Sequence, residues 1–227
     1  MILRSWKDLP ENMKTPEVRK YYDSLSRKKG SLAVKRAFDV CASGAMLILM
    51  SPVFLIVAFA VKNDSEGPVI YKQERVTRYG EKFRIYKFRS MEEARSAEPQ
   101  LTIGEDARIT RVGKTLRKYR LDELPQLLNV LKGEMSFVGP RPEVPRYVRE
   151  YTPEMMATLL MRAGVTANAS IHYKGESEEL EKAEDPVKYY IQKILPGKMK
   201  YNLEDIEKFS LARDLMIMIR TVGAVLK

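Results

Sequence analysis

A long uncharged segment limits the folds open to this chain, because Val40–Val61 runs for 22 residues without an acidic or basic side chain. As a straight helix it would reach ~33 Å, close to the ~30 Å hydrocarbon core of a bilayer. Pro52 lies near its middle, lacks an N–H group and clashes with the carbonyl of Ile48, so the helix should bend there. The Ser51 hydroxyl is placed to satisfy part of the freed carbonyl. The segment predicts a membrane element that bends at Ser51-Pro52.

Basic residues flank this segment on both sides, with Lys35 and Arg36 before it and Lys62 after it. Residues 1–36 hold 10 Lys and Arg against 4 Asp and Glu, and residues 62–147 hold 18 against 13. Basic flanks stay on the cytoplasmic side of a membrane. A helix that enters the bilayer, bends and returns to the same leaflet is therefore favoured over one that crosses it. A spanning helix and a buried core helix of a soluble protein are the alternatives.

The rest of the chain is long enough for one globular domain. We expect a basic N-terminal arm over 1–34, the bent membrane helix over 35–62, and a domain for catalysis or binding over 63–227. The only cysteine, Cys41, excludes a disulfide framework and is expected to serve packing. The net charge of +10 does not favour nucleic acid as a partner, because residues 148–227 are neutral. The excess charge lies beside the apolar segment, where anionic lipid attracts Lys and Arg.

Periodicity predicts an α+β domain that is mostly helical. Val69–Tyr71 and Phe83–Ser90 are expected as strands of a short hairpin, with Lys87 and Arg89 on one basic face. Four further segments have the apolar spacing of helices, and the amphipathic ones are expected at the membrane surface. These helices are Ile109–Tyr119, Leu124–Leu131 ended by Gly133, Glu154–Met161, and Leu211–Val225.

The adjacent carboxylates Asp122 and Glu123 are the first candidates for chemistry. They lie between a basic run over 117–120 and Pro125, so one interpretation is a helix start with Asp122 as an N-cap worth about 1 kcal/mol. In the functional interpretation, the helix N-terminus and nearby cations keep the carboxylates ionised, available as a nucleophile or a metal ligand. Spacing alone leaves both interpretations open.

A stiff turn over 139–142, Gly-Pro-Arg-Pro, is the second candidate. Gly139 would let the backbone approach a ligand closely, and the prolines hold Arg141 in a non-helical conformation. A rigid guanidinium suits bidentate binding of phosphate, although a solvated surface arginine fits the sequence equally well. Lys87 has the same ambiguity, because most strand lysines are solvated. His172, the only histidine, is expected to be structural or at the surface.

Four motifs in a fixed order make the chain resemble the bacterial sugar transferases. The resemblance is more specifically to the monotopic phosphoglycosyl transferases, which start glycan assembly on a polyprenyl phosphate carrier and hold the membrane through a re-entrant helix broken at Ser-Pro. The motifs are Lys35-Arg36-Ala37-Phe38-Asp39 before an apolar run with Ser51-Pro52, Lys87-Phe88-Arg89-Ser90-Met91, Leu121-Asp122-Glu123-Leu124-Pro125-Gln126, and Val138-Gly139-Pro140-Arg141-Pro142.

The resemblance implies a covalent reaction in two steps. Asp122 would attack the sugar-proximal phosphate of a nucleoside diphosphate sugar, with uridine as the expected nucleoside, and nucleoside monophosphate would leave. Polyprenyl (undecaprenyl) phosphate would then take the phosphosugar from Asp122. Glu123 would help Asp122 to hold Mg²⁺ against the phosphates, and Lys87, Arg117 and Arg141 match family positions that contact phosphate or nucleotide.

The resemblance also implies a location and a pathway. We expect a monotopic protein on the cytoplasmic face of the bacterial plasma membrane, acting in the first membrane step of capsule, exopolysaccharide, O-antigen or glycoprotein glycan synthesis. A homodimer is left open. Residues 163–167 and Asn202 depart from segments common in such proteins, and 170–200 is unlike them, so no sugar and no site are assigned there. The alternative is a non-catalytic membrane-surface protein that binds anionic lipid or a polymer, which does not explain Asp122-Glu123 within this order of motifs.

Overall fold

The structure is a computed structural model that describes residues 3–92 and 106–226. It is mostly helical with two small sheets, which confirms the predicted α+β class. The α-helices are α1 (Pro16–Ser26), α2 (Lys29–Leu49), α3 (Ser51–Asp64), α4 (Arg111–Lys118), α5 (Gln126–Lys132), α6 (Pro145–Val148), α7 (Asn168–His172), α8 (Glu176–Glu181), α9 (Pro186–Tyr189), α10 (Leu195–Glu207) and α11 (Leu211–Leu226). The strands are β1 (Ile70–Val76), β2 (Lys82–Phe88), β3 (Met135–Val138) and β4 (Ala163–Thr166).

The N-terminal arm is a folded part of the protein. Thr15 caps α1 by accepting a hydrogen bond from the Val18 amide at 3.4 Å, and Pro16 follows in the first turn. Apolar residues of α1 pack into the largest hydrophobic cluster, together with residues of α10 and of a 3-10 turn over Met155–Leu160. The predicted boundary after residue 34 does not correspond to a break in the structure, because α2 already begins at Lys29.

The uncharged segment forms two helices that meet at a sharp bend. Among the described residues no single helix is both long and apolar enough for a membrane span, but α2 and α3 qualify as a pair, bent by 63°. The Ser51 hydroxyl donates to the Ile48 carbonyl at 2.8 Å, which confirms the predicted partner for that carbonyl. Leu55 and Phe59 are among the exposed apolar residues of α3. Cys41 is also exposed, so its expected role in packing was wrong.

Helix α2 is tied to the rest of the protein by charged side chains. Lys35 is largely buried and pairs with Asp214 of α11. Arg36 donates to two carbonyls in the last turn of α5, at 2.7 and 2.9 Å. Asp39 accepts from the Phe137 amide in β3 at 3.1 Å. Lys35 and Arg36 were predicted as flanking cations at the membrane, but their charged groups contact protein, so their membrane role stays a prediction without structural support.

The predicted hairpin is present, and one of its faces differs from expectation. Strands β1 and β2 pair antiparallel, and Tyr79 takes a left-handed conformation (φ 63°) in the connection. The two apolar residues before Lys87 on its face of β2, Phe83 and Ile85, are buried in the core. Arg89, beyond the end of β2, is buried and donates to the Ser65 carbonyl at 2.6 Å. The predicted basic face was therefore wrong, because this face of the strand points into the protein.

A second sheet, absent from the sequence predictions, is formed by β3 and β4, which pair in parallel. A Cβ on Gly139, just after β3, would lie 2.3 Å from the Arg162 carbonyl oxygen, and one on Gly164 in β4 would lie 2.2 Å from the Gly139 nitrogen. Gly139 was expected to admit a ligand. That prediction was wrong, because the close neighbour is the chain itself.

Most of the predicted helices are confirmed. Helix α4 begins at Arg111 because the Thr110 hydroxyl accepts from the Gly113 amide at 3.0 Å, and α5 ends at Gly133 in a left-handed conformation (φ 88°). Helix α11 covers the predicted tail helix. The segment predicted as a helix over Glu154–Met161 forms the tighter 3-10 turn instead.

Candidate active site

Asp122 and Glu123 lie in a short 3-10 turn, Leu121–Glu123, between α4 and α5. Arg120 precedes the turn with a left-handed backbone (φ 56°), which redirects the chain after α4. Helix α5 starts after Pro125 without a side-chain cap. Interpreting Asp122 as an ordinary N-cap was therefore wrong, and another reason is needed for a carboxylate at this position.

The Asp122 carboxylate is buried and incompletely satisfied. Its residue is 6% exposed, and Oδ1 has no hydrogen-bond partner among the described residues. Burial raises the pKa of Asp122 above its ordinary value, while the Lys87 ammonium opposes part of that rise. The sequence predicts that the helix end and the cations favour ionisation of Asp122, but burial has the larger effect on its pKa. A buried carboxylate oxygen without a partner is costly for the fold and therefore suggests a functional role.

Glu123 has the opposite environment, because three cations surround its carboxylate. Its Oε1 lies 2.6 Å from Arg141 Nη2, 3.0 Å from Lys87 Nζ and 3.6 Å from Arg120 Nη1. Burial alone would raise the pKa of Glu123, but Arg141 and Lys87 outweigh it and hold that pKa well below its usual range. Glu123 in turn raises the pKa of Arg141. This carboxylate stays ionised and fixes the cations around Asp122.

These residues line a polar cavity of about 580 Å³. Its volume is in the range of small-molecule binding sites. Lys87, Arg117 and Arg141, predicted from sequence, all line it together with Asp122 and Glu123, so the structure brings the five predicted residues to one site. Cations outnumber carboxylates near Asp122, which suits the binding of phosphate groups.

An apolar cavity of about 390 Å³ adjoins the polar one. Side chains of α2, α5 and α11 line it, including Phe38, Leu127 and Met218. Glu123 and Arg141 line both cavities, so the apolar space opens beside the charged cluster. A ligand with an apolar chain and an anionic head would match this arrangement.

The donor set limits how a metal ion could bind. Within residues 3–92 and 106–226, no three His, Cys, Asp or Glu side chains are grouped to hold a metal. Mg²⁺ commonly takes one or two carboxylates and completes its shell with water and substrate phosphates. The unpaired Asp122 Oδ1 fits that pattern. Glu123 fits it poorly, because Arg141 and Lys87 already pair with its oxygens.

A family model described as bacterial sugar transferase matches residues 30–227. The chain belongs to that family. The match covers the bent helix pair, both cavities and every residue predicted for the site, so the resemblance drawn from four motifs is confirmed at the level of the family.

The chain covers its curated relatives to different extents. The UDP-glucose:undecaprenyl-phosphate glucose-1-phosphate transferase of Klebsiella pneumoniae is 37% identical over 197 residues, which are 85% of this chain and 40% of that protein. The UDP-N-acetylgalactosamine-undecaprenyl-phosphate N-acetylgalactosaminephosphotransferase of Aeromonas hydrophila is 35% identical over 199 residues, 85% and 44% of the two chains. The exopolysaccharide production protein PSS of Rhizobium leguminosarum bv. phaseoli is 36% identical over 200 residues, 84% and 94%. The chain thus spans about two fifths of the first two proteins and most of the third.

The sequence predictions for this sugar transferase missed part of the polar cavity. Arg75 of β1, Glu143 and several residues from 170–200 line it, and among the last are Glu176, Tyr190 and Lys198. Glu143 directly follows the Pro-Arg-Pro turn, so its position was a usable signal. The residues of 170–200 reach the cavity only through packing between distant segments, and sequence spacing holds no signal for that.

Proposed function

We propose that this protein transfers a phosphosugar from a uridine diphosphate sugar to undecaprenyl phosphate, with release of UMP. The observation that carries the proposal is the buried, unpaired carboxylate oxygen of Asp122 in a cationic cavity, which shares Arg120, Glu123 and Arg141 with an adjoining apolar cavity. Relatives whose printed names state this type of reaction support it.

In the first step an Asp122 oxygen attacks the sugar-proximal phosphorus. The new bond is the acyl phosphate O–P bond, and the bond from that phosphorus to the bridging oxygen breaks, so UMP leaves with the bridging oxygen. A carboxylate oxygen without a hydrogen-bond partner, such as Asp122 Oδ1, is a stronger nucleophile than a solvated one, because no donor has to be removed first. The negative charge that develops on the phosphate oxygens is stabilised by the cations that Glu123 holds in place.

In the second step an oxygen of undecaprenyl phosphate attacks the same phosphorus. The Asp122–phosphorus bond breaks, the carboxylate is restored, and the product is undecaprenyl diphosphate sugar. Arg120 and Arg141 line both cavities, so they can hold the lipid phosphate while its chain lies in the apolar space. The two substrates therefore approach Asp122 from different sides of one charged cluster.

Mg²⁺ is part of the proposal, with Asp122 as the protein ligand and the donor's diphosphate supplying further oxygens. When bound, the ion would neutralise phosphate charge and favour the leaving group. Glu123 was predicted as a second ligand, and its pairing with Arg141 and Lys87 supports a role as the anchor of those cations instead.

We place α2 and α3 in one leaflet of the plasma membrane, with both ends on the cytoplasmic face. Their 63° bend, the exposed apolar residues of α3 and the basic flanks support re-entry. In a Cys41→Ser background, Lys29→Cys and Glu66→Cys should both react with an impermeant thiol reagent from the cytoplasmic side. Labelling of the two positions from opposite sides would show a true span.

The central experiment supplies purified protein with Mg²⁺, undecaprenyl phosphate and a panel of UDP-sugars, and measures UMP. We expect release with at least one sugar, loss of release in Asp122→Asn, and normal release in the control Asp23→Asn, an exposed carboxylate paired with Arg19. Mass spectrometry without the lipid should show a phosphosugar on Asp122. Release that survives Asp122→Asn removes this residue as nucleophile, and no release with any sugar favours the lipid- or polymer-binding alternative.

The assigned apolar cavity has its own test. Ala42 lines it, whereas the adjacent Cys41 is exposed and does not. Ala42→Phe should raise the KM for undecaprenyl phosphate and leave the lipid-independent burst of UMP unchanged, while Cys41→Phe should change neither. An equal effect of the two substitutions would count against lipid binding in this cavity.

A further inference from the structure

A buried network forms part of the lining of the polar cavity; we call it the inner wall and define it as Glu143, Glu176, Tyr190 and Lys198. The Lys198 ammonium lies 2.7 Å from Glu176 Oε2 and 3.8 Å from Glu143 Oε1. The Tyr190 hydroxyl donates to Glu143 at 2.7 Å and accepts from Lys198 at 3.3 Å. Every member thus has a fixed partner, so the wall is preorganised before any ligand arrives.

The inner wall is assembled from distant parts of the chain. Glu143 directly follows the stiff turn that holds Arg141, Glu176 begins α8, and Lys198 lies in α10. Tyr190 opens a π-helical turn, Tyr190–Ile194, a distortion that often marks functional sites. Since Arg141 and Glu143 are two residues apart and Pro142 stiffens the link between them, a group attached to a phosphate held by Arg141 would lie close to the wall.

The two sides of the cavity differ in charge. Near Asp122 the cations Lys87, Arg117, Arg120 and Arg141 exceed the carboxylates, whereas the inner wall offers two carboxylates, one ammonium and one hydroxyl, with Arg75 near its Glu143. Carboxylates repel a diphosphate. The diphosphate of the donor should therefore occupy the Asp122 side, which leaves a neutral part of the donor for the inner wall.

Hydrogen-bonding capacity distinguishes the two neutral parts of such a donor. A hexose presents several hydroxyl donors, which two carboxylates can accept, while uridine presents two ribose hydroxyls and a single ring N–H beside two carbonyls that the carboxylates would repel. We propose that the inner wall binds the sugar of the donor, and that Glu176 contacts a sugar hydroxyl and so helps to determine which sugar is accepted. This proposal rests on the proposed function.

Glu176 is the member most open to the cavity. Its side chain is 24% exposed, compared with 7% for Glu143 and Lys198. It also lies near enough to Arg141 to contribute to that residue's raised pKa, which places it beside the phosphate side. Relatives whose printed names specify glucose or N-acetylgalactosamine share similar identity with this chain, so discrimination between sugars must come from groups outside the common phosphate chemistry.

The test compares a donor with its sugar-free counterpart. In an Asp122→Asn background, which prevents consumption of the donor, the affinities for UDP-glucose, UDP-N-acetylgalactosamine and UDP are measured by calorimetry in full-length protein. Glu176→Gln should weaken the binding of whichever sugar nucleotide binds more tightly by roughly 10- to 100-fold, the loss expected for a hydrogen bond to a charged group. The affinity for UDP should not change. The control Glu178→Gln, on the exposed side of the same helix, should change neither.

Each other outcome overturns the proposal. An equal loss for UDP and the sugar nucleotide would assign the inner wall to the nucleotide, and no loss for either would exclude ligand contact. Two sugar nucleotides that bind no tighter than UDP would show that no sugar site exists here. Retained UDP binding reports that the variant is folded. UMP release from the otherwise unmodified protein with undecaprenyl phosphate tests the proposed function separately, since it does not depend on this difference in affinity.

Discussion

Replacement of Glu123 by glutamine tests the charged cluster most directly. The substitution keeps the size of the side chain and removes its charge. Three cations then lose their negative partner, because Arg141, Lys87 and Arg120 lie 2.6, 3.0 and 3.6 Å from Oε1. At an effective dielectric constant of about 20, two unit charges 3 Å apart attract by roughly 5–6 kcal/mol, and desolvation offsets much of that attraction. Removal of one partner from a buried pair typically costs about 3–5 kcal/mol of unfolding free energy.

For a chain of this length, that loss corresponds to a decrease of roughly 6–20 °C in Tm. Thermal unfolding in detergent or nanodiscs measures it, and Glu81→Gln is the matched control because its ion pair with Arg4 is exposed. The control should lose less than about 1 kcal/mol. UDP should raise the Tm of Glu123→Gln more than that of the wild type, because the diphosphate supplies the missing negative charge.

Two results would refute this reasoning. If Glu123→Gln and Glu81→Gln unfold at the wild-type temperature, the carboxylate does not hold the cations in place. If UDP stabilises the wild type and Glu123→Gln equally, the cations do not form the diphosphate site. UMP release by Glu123→Gln should fall both in detergent and in nanodiscs, since misplaced cations stabilise the developing phosphate charge less well.

Two further predictions concern the pH dependence and the fold. Lys87 is the largest influence that lowers the pKa of Asp122, so Lys87→Met should raise that pKa further and move the acidic limb of the UMP-release profile to higher pH. A limb that stays in place or moves to lower pH would contradict Asp122 as the ionised nucleophile. Gly139→Ala would place a Cβ 2.3 Å from the Arg162 carbonyl oxygen and should cost about 1–3 kcal/mol by chemical denaturation. Gly175→Ala, which has open space, is its control and should stay within about 0.5 kcal/mol.

The sequence predicted those features that depend on local chemistry. The bend at Pro52 follows from the missing N–H group of proline. The partner of the Ile48 carbonyl follows from the presence of Ser51 directly before that proline. The hairpin and helices α4, α5 and α11 follow from periodicity and end residues. The order of the four motifs identified the family, because it fixes the positions of several local sequence features along the chain at once.

The predictions failed where long-range packing decides. Burial outweighs the cations in setting the pKa of Asp122. The residues next to Asp122 in sequence do not reveal how deeply its carboxylate is buried. The protein partners of Lys35 and Arg36 lie about 180 and 95 residues away in sequence, and no local pattern indicates them. The inner wall was missed for the same reason, since Glu143 and Lys198 meet only after α8 to α10 fold over the cavity.

The attachment of α2 through Lys35, Arg36 and Asp39 has a consequence for how this protein responds to its membrane. Three elements, α11, α5 and β3, fix the N-terminal half of the helix, so in the proposed re-entrant arrangement a rigid connection to the protein itself sets the height of Asp122 above the lipid. A helix that enters and leaves one leaflet has no second surface to match. We therefore expect turnover to vary little between bilayers of different acyl length, where a spanning helix would have to tilt or stretch to compensate for mismatch.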